Sequence, residues 1–118
     1  VSEPETSRAI DRVLHCEGMQ DVRSQIDALD DVLVPLLVTR VGYMQQAARI
    51  KADASQVRDE ARIEAIVARV RERTQREGGV PDLMEAVYRQ LMEECIAYEH
   101  REFARLRGLA PVPAEKNR

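Results

Sequence analysis

The chain has 118 residues, 44% apolar and 33% charged, with a net charge of −3. That length makes one domain of ordinary size, and the acidic balance, with a pI near 5.5, argues against a general DNA coat or a binder of acidic membranes. Three Tyr, one Phe and no Trp are too few for a base-stacking surface; two Cys and two His without a C-x-x-C pair supply neither a disulfide scaffold nor a zinc set.

Residues 1–18 read as an N-terminal extension with no apolar run long enough for a signal peptide. No stretch approaches the ~18 consecutive apolar residues of a membrane span, so the expected location is the cytoplasm. Residues 19–107 read as a single helical domain. From Asp21 to about Asp53, apolar residues recur at Val22, Ile26, Leu29, Leu33, Leu36, Leu37, Met44, Ala47 and Ile50. Steps of three and four mark a helical stripe, on a helix of about 45 Å. Pro35 and Gly42 weaken its middle, but the pattern resumes in phase, which predicts one long helix, with two helices broken at Pro35 as the alternative.

A short loop is expected around Ala54–Val57. A second helix follows from Ala61 to Arg76, with Ile63, Ile66, Val67 and Val70 on one face and seven charged residues between Arg62 and Arg76 on the others. Gly78 and Gly79 stop it. Pro81 opens a third helix that runs to about Leu106 through Met84, Val87, Leu91, Cys95, Ile96 and Phe103. No strand pattern occurs. Residues 108–118, with Pro111 and Pro113, read as a disordered tail. The expected fold is all-α: one long and two shorter helices. Two short helices cannot cover the stripe of the long one, and soluble monomers rarely expose so large an apolar patch. An intertwined helical homodimer resolves this.

The run Arg69, Arg71, Glu72, Arg73, Arg76, Glu77 reads as a solvated face with i,i+4 pairs. Arg23, Arg40 and Lys51 on the first helix differ. Arg40 and Lys51 are eleven residues apart, close to three turns, and share a face. Arg23 lies seventeen residues before Arg40, about 25 Å along the axis, too far to grip the same small molecule from one helix. In an intertwined dimer, Arg23 of one chain meets Arg40 and Lys51 of the other; plain surface charge is the competing reading.

The segment CEGMQDVRSQIDALDDVLVPLLVTRVGYMQQAARIKAD resembles the all-helical chorismate mutases. The family pattern is an Arg, then I-D-x-[IL]-D, a second Arg and a Lys. Arg23, Ile26-Asp27-Ala28-Leu29-Asp30, Arg40 and Lys51 reproduce it without a gap. The likeness extends more loosely through Val57-Arg58-Asp59 and Arg62 to Cys95 and Glu99, covering about residues 16–106. Residues 16–23 and 43–51 also look like the isochorismate pyruvate lyase branch of that family.

The resemblance implies a dianionic small-molecule substrate, chorismate or isochorismate, and a homodimer, with no cofactor, metal, nucleic acid or membrane partner. It implies that Arg40 and the other chain's Arg23 clamp carboxylates, that Lys51 donates to the ether oxygen, and that Arg62 adds positive field. It also implies that Asp59 holds the ring hydroxyl and that Glu99 and Cys95 line the site from the third helix. Ile63 stands where many mutases carry a Glu, as an aliphatic does in the lyase branch; Glu99 stands where many members, the lyases among them, carry Gln. The first departure leans to a lyase, the second to a mutase. A non-catalytic helical dimer is the third reading. The pathway served, toward phenylalanine and tyrosine, salicylate or a secondary metabolite, stays open.

Overall fold

A computed structural model of the protein describes residues 7–109. Its three α-helices are α1 (Met19–Ile50), α2 (Glu60–Arg76) and α3 (Pro81–Leu106), and the described residues contain no strand. Among them no helix is long and apolar enough to cross a membrane.

Helix α1 is continuous over 32 residues with Pro35 inside it. The proline removes one amide donor and so frees the Asp31 carbonyl. Both residues are exposed, so water can satisfy that carbonyl and the helix survives. The Thr39 hydroxyl donates to the Pro35 carbonyl at 3.1 Å. After Lys51 the chain turns through a 3-10 turn, Ala54–Gln56, whose cap Asp53 accepts from the Ser55 amide. Helix α2 begins where Asp59 accepts the Arg62 amide at 3.0 Å, satisfying a donor that the helix leaves orphaned. It ends with Gly78 at φ 81°. There the Gly79 amide donates to Thr74 O at 2.9 Å, a C-terminal closure that needs a left-handed residue.

Helix α3 packs on both others. Its first half runs antiparallel to α2, with Arg71 on Glu85 and Asp82, Arg89 on Glu64, and Arg58 on Glu93. Its second half runs parallel to the end of α1, bringing Cys95 to Arg40 and Tyr98 to Gln45. Two small cores result: Ala48, Val57 and Phe103 between α1 and α3, and Ile63, Val67 and Met92 between α2 and α3. Ile96 packs against both.

The stretch 1–18 is not a bare extension where it is described. Ala9–Arg12 forms a 3-10 turn docked on the α2–α3 corner. The Ile10 amide donates to Glu77 O at 3.1 Å and the Ala9 amide to Glu77 Oε1 at 2.7 Å. Ile10 fits there because Gly78 has no Cβ to collide with it. At the other end, Gly108 takes φ 67° and the Leu109 amide closes α3 on Ala104 O; the rest of the expected tail, 110–118, lies outside the described residues.

The N-terminal two-thirds of α1 has little to pack on. Ala48 is the helix's one buried residue, while Ile26, Leu29, Leu33 and Leu36 are 49%, 66%, 48% and 62% exposed. Within this chain the apolar stripe of α1 is bare.

The α2–α3 pairing carries a pH dependence. Arg89 grips both Glu64 oxygens and also Glu85, which Arg71 bonds as well. Hydrogen bonds from Arg89 first hold both carboxyls below the usual glutamate range. A carboxyl whose folded value is depressed stabilises the fold above the unfolded value, and that contribution is lost as pH falls through the folded one. The melting temperature should therefore fall as pH drops below the usual glutamate range, and Arg89→Met should shrink the fall. Thermal melts followed by circular dichroism check this; equal falls in both proteins would contradict it.

Candidate active site

The site begins at the C-terminal end of α1, where Arg40 and Lys51 face α3. Arg40 Nη1 donates to Cys95 Sγ at 3.6 Å, and its guanidinium lies 5.7 Å from the centre of the Tyr88 ring. Ring and thiol flank the fork, and no carboxylate among the described residues pairs with it. Lys51 is the first residue past α1. Its Nζ lies 2.7 Å from Glu99 Oε2 and donates to Val57 O at 3.3 Å. Glu99 is only 3% exposed. Its Oε2 has no aligned hydrogen bond, so the 2.7 Å contact is held by charge. A buried carboxylate needs such a cation close by. Cys95 and Glu99 are one turn apart on α3, both buried, which sets the Arg40 and Lys51 contacts side by side.

Helix α2 supplies the opposite wall. Arg62, Arg69, Arg73 and Arg76 line a cavity of about 330 Å³ together with Arg40 and Tyr88. Arg73 is tied to Glu77 and Arg76 to Glu72. Among the described residues, Arg40, Arg62 and Arg69 make no ion pair with a carboxylate. Three uncompensated guanidiniums in one concavity attract a compact anion with more than one acidic group. Arg69 is the residue the sequence reading missed. It sits in a run that reads as solvated, and the available signal was its spacing of seven, two turns, from Arg62.

The other candidates fall in different places. Asp59 caps α2 and lines a second, open cavity of about 680 Å³ that also contains Lys51 and Gln56. Ile63 points into the α2–α3 core beside Val67 and Met92. Arg23 is exposed on the bare part of α1, seventeen residues before Arg40 and thus about 25 Å away along the axis. A single chain therefore puts Arg40 and Arg62 in one cavity and links Arg40, through Cys95 and Glu99 on α3, to Lys51 at the edge of the second, but leaves Arg23 apart.

Residues 22–100, more than half of the chain, match the family described as chorismate mutase type II. The chain belongs to that family. The matched segment starts one residue before Arg23 and ends one residue after Glu99, so it takes in every residue gathered at the site. Membership of a chorismate mutase family supports isomerase chemistry on a small molecule. No curated protein matches the chain closely enough to count as a relative.

Proposed function

We propose that the protein rearranges chorismate to prephenate in a site shared between two copies of the chain. The observation that carries this reading is the set of unpaired guanidiniums, Arg40 and Arg62, converging in one cavity, with the half-buried Lys51 paired to the buried Glu99 one turn along α3 from the Arg40 contact, inside a chorismate mutase type II domain. Chorismate carries two carboxylates and an enolpyruvyl ether. In the rearrangement the ether C–O bond breaks as a new C–C bond forms within the same molecule, so atoms balance and no nucleophile or proton transfer is required. The protein's task is to hold the compact reactive shape and to stabilise negative charge growing on the ether oxygen.

Arg40 and the partner subunit's Arg23 grip the carboxylates, a role suited to a planar fork of donors. Lys51 turns from Glu99 to donate to the ether oxygen and a carboxylate. Arg62 and Arg69 add positive field, Asp59 meets the ring hydroxyl with the lone pairs that capping leaves free, and Cys95 forms wall, while Ile63 stays in the core behind it. The bare stripe Ile26, Leu29, Leu33, Leu36 is covered by the second copy. This brings the partner's Arg23 to the mouth of the site.

Variants at two positions test the parts. Arg40→Lys keeps charge but loses the fork; kcat/KM should drop at least about tenfold, about 1.4 kcal/mol of transition-state binding, with the fold intact. Wild-type kinetics would mean that Arg40 faces away from substrate. Glu99 is tested by substitution. An ionised Glu99 repels the charge growing on the ether oxygen, whereas the amide of Glu99→Gln donates an N–H to it. Glu99→Gln should therefore keep or raise kcat/KM, while Glu99→Ala, which offers no donor, should lower it at least about tenfold. Steady-state kinetics with circular dichroism check this; a Gln variant as impaired as the Ala variant would remove Glu99 from this role.

Isochorismate pyruvate lysis is the second reading, favoured by one observation: the residue after Arg62 is the buried aliphatic Ile63 rather than an acid able to bind a ring hydroxyl. Separate incubations with chorismate and isochorismate, read by proton NMR, distinguish the two. Prephenate from chorismate supports the mutase; pyruvate and salicylate from isochorismate, with chorismate unchanged, would replace it with the lyase.

A further inference from the structure

The C-terminal end of α1 is clamped by a side chain from beyond the matched segment. Arg107 lies at the end of α3, seven residues past the last matched position. Its Nη1 donates to Ala48 O at 2.9 Å and to Phe103 O at 3.3 Å. Its Nη2 donates to Lys51 O at 2.6 Å and to Arg49 O at 3.4 Å. The guanidinium also lies face-on over the Phe103 ring, 3.6 Å from its centre, and Phe103 is part of the buried core.

A helix leaves its last four carbonyls without intrahelical partners, and they form the negative end of its dipole. At α1 a single cation satisfies three carbonyls at or near that end. A Lys would place the charge there but could not bond carbonyls on both sides of a rigid fork. The carbonyl bonded most closely belongs to Lys51, whose side chain reaches Glu99 and Val57 O. The Lys51 amide is held by the last turn of α1, donating to Ala47 O at 3.0 Å, and the Arg107 bond holds the carbonyl on the other side of the same residue, where the loop begins. Val57 and Phe103 pack in one cluster with Ala48, so the clamp, the core and the two Lys51 contacts form one unit.

We infer that Arg107 is a positioning residue for Lys51: it fixes the root of the side chain whose ammonium meets the substrate, without touching substrate itself. The inference rests on the proposed role of Lys51 for its catalytic consequence, but the positioning can be measured without turnover. The chain has one other lysine, Lys116, and two cysteines, Cys16 and Cys95. Lys51 is held in an ion pair and Cys95 is buried.

The experiment compares the intact wild-type chain with Arg107→Gln. An amine-acylating reagent and, separately, a thiol-alkylating reagent are applied under native conditions, and modification is followed peptide by peptide by mass spectrometry. Acylation of Lys51 relative to Lys116 should rise by about fivefold or more, as a local opening at one helix end allows, while alkylation of Cys95 stays at its wild-type rate. In the same samples kcat should fall about ten- to a hundredfold, the cost of a small misplacement of a catalytic group, with KM changed less than about twofold. An unchanged Lys51 rate overturns the inference. So does a rise in Lys51 and Cys95 together, because that is general loosening. If Arg107→Gln does not fold, Arg107→Lys carries the test, with the same signs and a smaller rise; wild-type rates at Lys51 in it overturn the inference. A wild-type protein that turns over neither substrate defeats the proposed function and leaves the labelling result to decide Arg107.

Discussion

Lys51→Ala is expected to lower kcat/KM by about a hundred- to a thousandfold, or 3–4 kcal/mol, which is the usual cost of removing a donor aimed at developing negative charge. Among the described residues Lys51 is the cation that pairs with Glu99, while Arg40, Arg62 and Arg69 line the cavity on the α2 side. The loss of Lys51 also strips a buried carboxylate of its partner. The fold is destabilised, because an unpaired buried charge is costly. The two effects separate in the double variant Lys51→Ala/Glu99→Gln, which should melt closer to wild type than Lys51→Ala and remain inactive. Steady-state kinetics and thermal melts of the three proteins check this. Near-normal activity in Lys51→Ala would remove it from the ether oxygen.

The second large effect lies far from the chemistry. Leu29 and Leu33 are 66% and 48% exposed in the single chain, so replacing both by Asp removes little packing within it. If the stripe is buried against a second copy, each leucine contributes about 1.5–3 kcal/mol to association. A dimer holds the pair twice, so Leu29→Asp/Leu33→Asp should weaken association by more than about 10⁴-fold. The expected result is a folded, helical monomer in sedimentation equilibrium with activity near background, since the monomer lacks the partner's Arg23. A variant that stays dimeric, or a monomer that stays active, would contradict the arrangement.

The helices were readable because their apolar spacing is regular and their ends carry local chemistry. Pro81 opens α3, Gly78 stops α2, and each boundary falls within a few residues of its expected place. Pro35 looked like a risk but lies on an exposed face where its lost hydrogen bond is harmless. What could not be read depends on contacts distant in sequence. The turn at Ala9–Arg12 is too short for periodicity and is fixed by Glu77, sixty-eight residues from Ala9. The Arg107 clamp joins residues more than fifty positions apart. Arg69 differs from its neighbours Arg71, Arg73 and Arg76 only in which of them find a carboxylate, and that depends on how α2 and α3 pack. The residues around Lys51 were anticipated through the family resemblance; helical spacing alone puts Arg40 and Lys51 on one face but does not name Glu99 as the partner.

If each site is completed by the other chain, mixing two inactive variants restores activity. Arg23→Ala breaks the reach into the neighbour, and Lys51→Ala breaks the home site. Each alone should be close to inactive. After subunit exchange, verified by native mass spectrometry, a mixed dimer has one site with both lesions and one with neither. Random exchange of equal amounts leaves about a quarter of all sites intact, so the mixture should regain about a quarter of wild-type activity. Verified exchange with no recovery would show that Arg23 and Lys51 serve the same chain's site or different functions, and the shared clamp would fall.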